Sequence, residues 1–87
     1  MNELIDRSAW MMRAPNNWPN WPVLTVIERD GPRRAGIMIE SRTPKVYVGV
    51  LMWDLQTGPL IPQLEAKMTE LKTYASFEEC AQEWRVD

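Results

Sequence analysis

A small α+β domain is the fold this sequence predicts, and three observations carry that expectation. Two apolar runs meet at the turn signal Asp30-Gly31, and a third begins just after Arg42-Thr43-Pro44, which is the spacing of an antiparallel meander. A capping box, Ser76-Phe77-Glu78-Glu79, opens a short helical stripe near the C-terminus. The 87 residues leave room for a single domain, and a chain of that size buries only about 60–65% of the surface its unfolded form exposes. The expected architecture is a three-stranded meander, four-stranded if one further segment joins it, with one or two C-terminal helices packed on one face. Residues 1–22 form an N-terminal arm and strap, 23–53 the meander, and 62–85 the helical region.

Each element has a local cause. Leu4, Ser8, Met11 and Met12 share one face of a helix over residues 2–13, and Ala14-Pro15 ends it because a residue before proline avoids the α region. The stretch Asn16 to Pro22 then repeats a triplet, Asn17-Trp18-Pro19 and Asn20-Trp21-Pro22. Each proline fixes its own φ and pushes the preceding Trp toward extended geometry. A polyproline II path has three residues per turn, so the repeat predicts a stiff strap with Trp18 and Trp21 on one edge, lying along a sheet edge or the free sheet face.

Val23–Arg29 reads as the first strand, Arg34–Ser41 as the second, and Val46–Trp53, apolar on both faces, as a central third. Gly36 and Gly49 mark a bulge or a close approach by another element. Leu55–Pro62 is a loop. Beyond it, Leu64, Met68, Leu71 and Ala75 make a helical stripe, while a fourth strand over Met68–Tyr74 is the competing reading for residues 63–74. In the last helix Phe77, Cys80, Ala81 and Trp84 fall on the apolar face and Glu78, Glu79, Gln82 and Glu83 on the wet one.

Composition narrows the chemistry. The chain has no His and one Cys, which removes the commonest general base, the commonest nitrogen ligand for zinc, any cysteine–histidine pair and any internal disulfide. Cys80 lies on an apolar face beside acidic neighbours, both of which disfavour the thiolate. The four glycines are too widely spaced for a phosphate loop. No catalytic residue, metal ligand or cofactor is therefore expected. The acidic N-terminus MNELIDRSAW does not read as a secretion signal, and the longest apolar run, Val46–Trp53, is far too short to span a bilayer, so a cytoplasmic location without membrane contact is expected.

What remains is binding. Five Trp in 87 residues are a surplus: Trp18 and Trp21 either lie over one sheet face and seal the core, or keep at least one ring exposed as an anchor, and Trp and Arg are enriched among interface hot spots. Trp18 and Trp21 on the strap, with Arg29, Arg33 and Arg34 near the first hairpin turn, are the candidate contacts for a protein partner. Glu78, Glu79 and Glu83 form a second, acidic candidate surface; capping and solvation account for them equally well. The net charge of −2 and the placement of Arg42 and Lys45 at the opposite hairpin end argue against nucleic acid as the main partner. In overall build the chain is similar to small phage-encoded accessory proteins, inhibitors of bacterial defence systems among them; that similarity of build assigns no residue a role. The leading expectation is a non-enzymatic protein-interaction module. The alternatives are a small-molecule binder with an aromatic pocket between subunits of a homo-oligomer, and a weak nucleic-acid contact through the hairpin arginines.

Overall fold

The computed structural model describes the backbone of residues 3–86 and the side chains of residues 7–86. Its elements are α1 (Glu3–Arg13), β1 (Val23–Glu28), β2 (Ala35–Ile39), β3 (Lys45–Val48), α2 (Leu60–Lys67), β4 (Glu70–Thr73), α3 (Phe77–Glu83) and β5 (Trp84–Val86). The strands form one antiparallel sheet in the order β4-β3-β2-β1-β5. The α+β class and the meander hold; the meander runs through four strands, and β5 adds a fifth beside β1.

Helices cover both faces, a departure from the expected one-sided packing. On one face α1 and α3 bury Ala9, Met12, Cys80, Ala81 and Trp84 against Leu24, Val26, Met38, Val46 and Val48. On the other, Leu64 of α2 and Val50 pack on Val23, Ile37 and Tyr47, with Met52, Leu55, Leu60 and Met68 partly buried around them. The chain changes sides by passing through the sheet as β4, which separates α2 from α3.

The ambiguity over residues 63–74 resolves into both alternatives in series. α2 ends at Lys67, Met68 turns extended (φ −66°, ψ 143°), and Glu70–Thr73 then pairs with β3. Pro62 is tolerated in the first turn of α2, where backbone N–H groups have no intrahelical acceptor.

Three other expectations are corrected. The third strand ends at Val48 rather than Trp53, because Gly49 adopts φ +92° and turns the chain out of the sheet. A Cβ there would also lie 2.9 Å from Thr69 Oγ1, so the site excludes a side chain twice over. The last helix stops at Glu83, and Trp84 is already extended (φ −127°, ψ 140°). The free edge of β1 supplies the competing partners: the Arg29 amide donates to Glu83 O at 2.8 Å, and Val26 pairs with Val86. Trp84 remains fully buried because a strand position aims it at the core the helical stripe aimed at.

The strap is the third correction. Pro15–Asn17 forms a 3-10 turn, and the amides of Trp18, Trp21 and Val23 each bond the carbonyl three residues back, at 3.1, 3.4 and 3.0 Å. Polyproline II leaves its amides to water; here successive turns satisfy them, and the repeat loses its common edge. Trp18 keeps the extended conformation its proline imposes (φ −73°, ψ 128°). In α1, Ser8 and Met12 are buried and Met11 partly so, as the predicted face requires, with Ala9 joining them. Asn2 and the side chain of Leu4 lie outside the described residues.

Candidate functional site

The two Trp of the repeat have opposite fates. Trp18 is 5% exposed, sits in the helix-side core, and donates from Nε1 to Met11 O at 2.7 Å. That burial removes it from any contact surface in this fold. Trp21 is 58% exposed and donates from Nε1 to Glu40 Oε2 at 3.3 Å.

The candidate arginines are dispersed. Arg29 turns inward: Nε donates to Ala81 O at 2.7 Å and Nη2 to Ser8 Oγ at 3.3 Å, riveting the end of β1 to α3 and α1. Burial, and then the nearby Arg85 cation, lower its pKa from the ordinary value. Arg34 forks onto Glu28, with Nε to Oε1 at 3.3 Å and Nη2 to Oε2 at 3.1 Å, and reaches Glu70 with Nη1 at 3.3 Å. The side-chain hydrogen bonds from Arg34 hold the Glu28 carboxyl below its usual range. Arg33 alone of the three projects as an exposed side chain, from a left-handed backbone position (φ 54°) beside Gly31 (φ 68°).

The acidic candidates are also engaged within the chain. Glu78 pairs with Arg13. Glu83 accepts from Tyr74 Oη at 3.1 Å and pairs with Lys72 at 3.6 Å. At the head of α3 the Ser76 hydroxyl accepts from the Glu79 amide at 3.2 Å, as the capping box requires, but the Glu79 carboxylate bonds the Ala75 amide rather than that of Ser76. Cys80 is fully buried, and desolvation, with the Glu83 charge second, pushes its thiol up to about 12.

Two surfaces stand out that the sequence did not mark. The first is the sheet face under α2, whose cover is thin. Strand alternation puts Thr25, Ile27, Ala35 and Ile39 on the same face as Val23 and Ile37, and none of these four is fully buried. A groove of about 160 Å³ lies at one end of β2, lined by Thr25, Ile27, Ala35, Met52 and Trp53. Another of about 150 Å³ lies at the other end, lined by Ile39, Glu40, Tyr47 and Ile61. Trp53 is 81% exposed, Ile61 52% and Leu71, opposite Tyr47 in the ladder, 42%. Trp21 reaches the second groove through its bond to Glu40. Trp53 escaped the sequence reading because it ended an apolar run; Gly49, four residues earlier, was the signal that the run leaves the sheet.

The second surface is a pocket of about 390 Å³ between α1, the end of β1, and β5, lined by Arg7, Ser8, Met11, Arg29, Arg85 and Val86. Its walls are apolar and its polar groups cationic, a combination that suits an anion carried on an apolar body. Arg7 and Arg85 lie 78 residues apart in sequence and meet only because β5 joins the sheet beside α1.

Among the described residues no helix is long and apolar enough to cross a membrane, and no cluster of three or more His, Cys, Asp or Glu is arranged to hold a metal ion. No family model matches the chain, and no curated protein or solved structure matches it either.

Proposed function

We propose that this domain is a non-enzymatic interaction module that binds a larger protein through the thinly covered sheet face, with Trp53 and Trp21 as anchors. The observation that carries this reading is Trp53, 81% exposed at the lip of an apolar groove. A ring so exposed adds little to folding, and interface hot spots are enriched in Trp set beside pockets. Ile61, Leu71 and Trp21 extend the apolar character of the same side. Occupying a surface on a larger protein is also the mode of action that suits a small inhibitor, the class its build resembles, working in a reducing compartment such as the cytoplasm.

Affinity purification from the native host or from infected cells, with the wild type beside a Trp53→Ala, Trp21→Ala double variant, tests the proposal. The expected result is a specific co-purifying protein lost with the double variant while its melting curve stays within a few degrees of wild type. Retention of that protein by the folded double variant refutes the assignment of the face.

A second reading has its own observation, the arginine-lined pocket, which favours a small anionic ligand over the aromatic pocket expected between subunits. Phosphate and benzoate titrations followed by thermal shift test it: an Arg85→Gln variant loses a saturable stabilisation that the wild type shows. A nucleic-acid role draws less support, since Arg29 and Arg34 are committed to internal bonds.

A further inference from the structure

The two edges of the sheet are treated differently. At the β5 edge, the outward amide of Val86 donates to Ser8 Oγ at 3.2 Å and that of Trp84 to Cys80 O, so helices close it. At the β4 edge, the bonding phase leaves donors and acceptors pointing outward. The Tyr74 amide donates to Pro44 O at 3.0 Å, and Lys72 and Glu70 stand opposite Val46 and Val48. The phase of β3 agrees: the Gly49 amide donates to Ala35 O at 2.9 Å, so odd-numbered residues of β3 face β2 and even-numbered ones face β4. Strand periodicity then turns the N–H and C=O of Leu71 and Thr73 away from β3. Leu71 itself is 42% exposed.

We propose that β4 pairs antiparallel with β4 of a second copy of this chain, about a two-fold axis through Leu71. In that register Leu71 exchanges both backbone bonds with the partner's Leu71, Glu70 stands opposite the partner's Lys72, and Lys72 opposite the partner's Glu70. Sliding by one step of two residues centres the pairing on Lys72 or on Glu70 and sets like charges face to face, which is unfavourable. Edge charges ordinarily deter pairing; here their opposite signs, two residues apart, admit one register. Each also extends an existing pair. Arg34 holds Glu70 at 3.3 Å and Glu83 holds Lys72 at 3.6 Å, so across the seam the charges alternate as Arg34, Glu70, the partner's Lys72, the partner's Glu83. The contact is small, below the roughly 1,000 Å² of a stable interface, so the dimer is weak. It rests on the edge alone and not on the partner-binding reading, though it sets the two thinly covered faces side by side.

Sedimentation velocity from about 10 μM to about 1 mM, concentrations that probe weak association, should show a reversible monomer–dimer equilibrium. Glu70→Lys or Lys72→Glu each makes two cross-strand pairs repulsive and should weaken it by about tenfold, and the double reversal should associate more tightly than either single variant. Leu71→Pro should abolish it while sparing the β3 ladder, because the amide it removes points outward. Should that variant fail to fold, hydrogen exchange of the wild type decides: the Leu71 amide becomes protected as concentration rises. A chain that stays monomeric at the highest concentration, a Leu71 amide whose exchange ignores concentration, or a dimer that survives folded Leu71→Pro overturns the proposal.

Discussion

The repeated Asn-Trp-Pro triplet offers a controlled comparison, because two identical tripeptides place their rings in opposite environments. Trp18 is 5% exposed and Trp21 58%. A buried Trp removes roughly 150–250 Å² from water, and truncating one to Ala costs about 3–5 kcal/mol including the cavity it leaves. Trp18→Ala also removes the bond from its Nε1–H to Met11 O, for about 1 kcal/mol more, and leaves that carbonyl with the Ala14 amide at 3.1 Å. Trp21 shields less than half as much surface, and its bond to Glu40 lies in solvent, so Trp21→Ala should cost below about 1.5 kcal/mol. At about 0.05–0.15 kcal/mol per residue the whole domain holds roughly 4–13 kcal/mol. Trp18→Ala therefore removes a third or more of the total and Trp21→Ala a minor share. Urea melts followed by circular dichroism give both values, with Trp18→Phe as a control that keeps most of the ring and loses the hydrogen bond. Equal losses from the two alanine substitutions would refute this account of the strap.

Other expectations follow from single contacts. A Cβ on Gly36 would sit 2.7 Å from Val46 Cγ1 and 3.3 Å from Trp84 Cζ3, so Gly36→Ala should destabilise by about 1–3 kcal/mol through overpacking, read as a lower Tm. Ser8→Ala removes the buried oxygen that accepts from Val86 N–H and Arg29 Nη2; about 1–3 kcal/mol should be lost, and hydrogen exchange at Val86 should rise before the rest of the sheet opens. Cys80 and Tyr74 both hold their protons more tightly folded than unfolded. Their contribution is complete below the unfolded values and declines as pH climbs from about 9 toward 12, so urea midpoints should fall over that range and fall less in Tyr74→Phe. Glu28 has the opposite sign: its pKa is lowered, so its stabilisation is present above the ordinary value of 4.5 and fades as pH drops, and Arg34→Gln should flatten that acid limb.

Much of the fold was legible because its signals are local. Asp30-Gly31 turns the first hairpin through Gly31 at φ +68°, and Ser76 caps α3 through its own hydroxyl. Where the sequence misled, a non-local partner outbid a local pattern. The stripe Leu64, Met68, Leu71, Ala75 fits a helix, but from Glu70 onward β3 offers a ladder that a third helical turn could not match. Trp84 and Val86 alternate around Arg85, a period of two hidden inside a period of 3.6 until β1 supplies the facing edge. The candidate sites suffered for the same reason. Arg29 and Arg34 are neighbours along the hairpin, yet α3 claims one and two carboxylates claim the other.

Unequal cover of the two faces is what supports placing the proposed binding on the α2 side. The helix-side core takes two helices and the rings of Trp18 and Trp84, and it fully buries Met12, Met38 and Trp84, with Met11, Phe77 and Val86 partly buried at its margin. The opposite face receives an eight-residue helix and a 3-10 turn, Met52–Asp54, pinned by the Leu51 amide donating to Asp54 Oδ2 at 3.1 Å. That turn fixes the backbone on either side of Trp53 while leaving its ring in water. A solitary exposed apolar side chain is ordinary. An exposed ring on a pinned turn beside an apolar groove has already surrendered backbone freedom without gaining burial, and a partner that covers it gains the burial with little further ordering cost. Freeing the turn with Asp54→Ala should therefore weaken partner capture more than it lowers Tm, a split that a purely structural role for the turn would not produce.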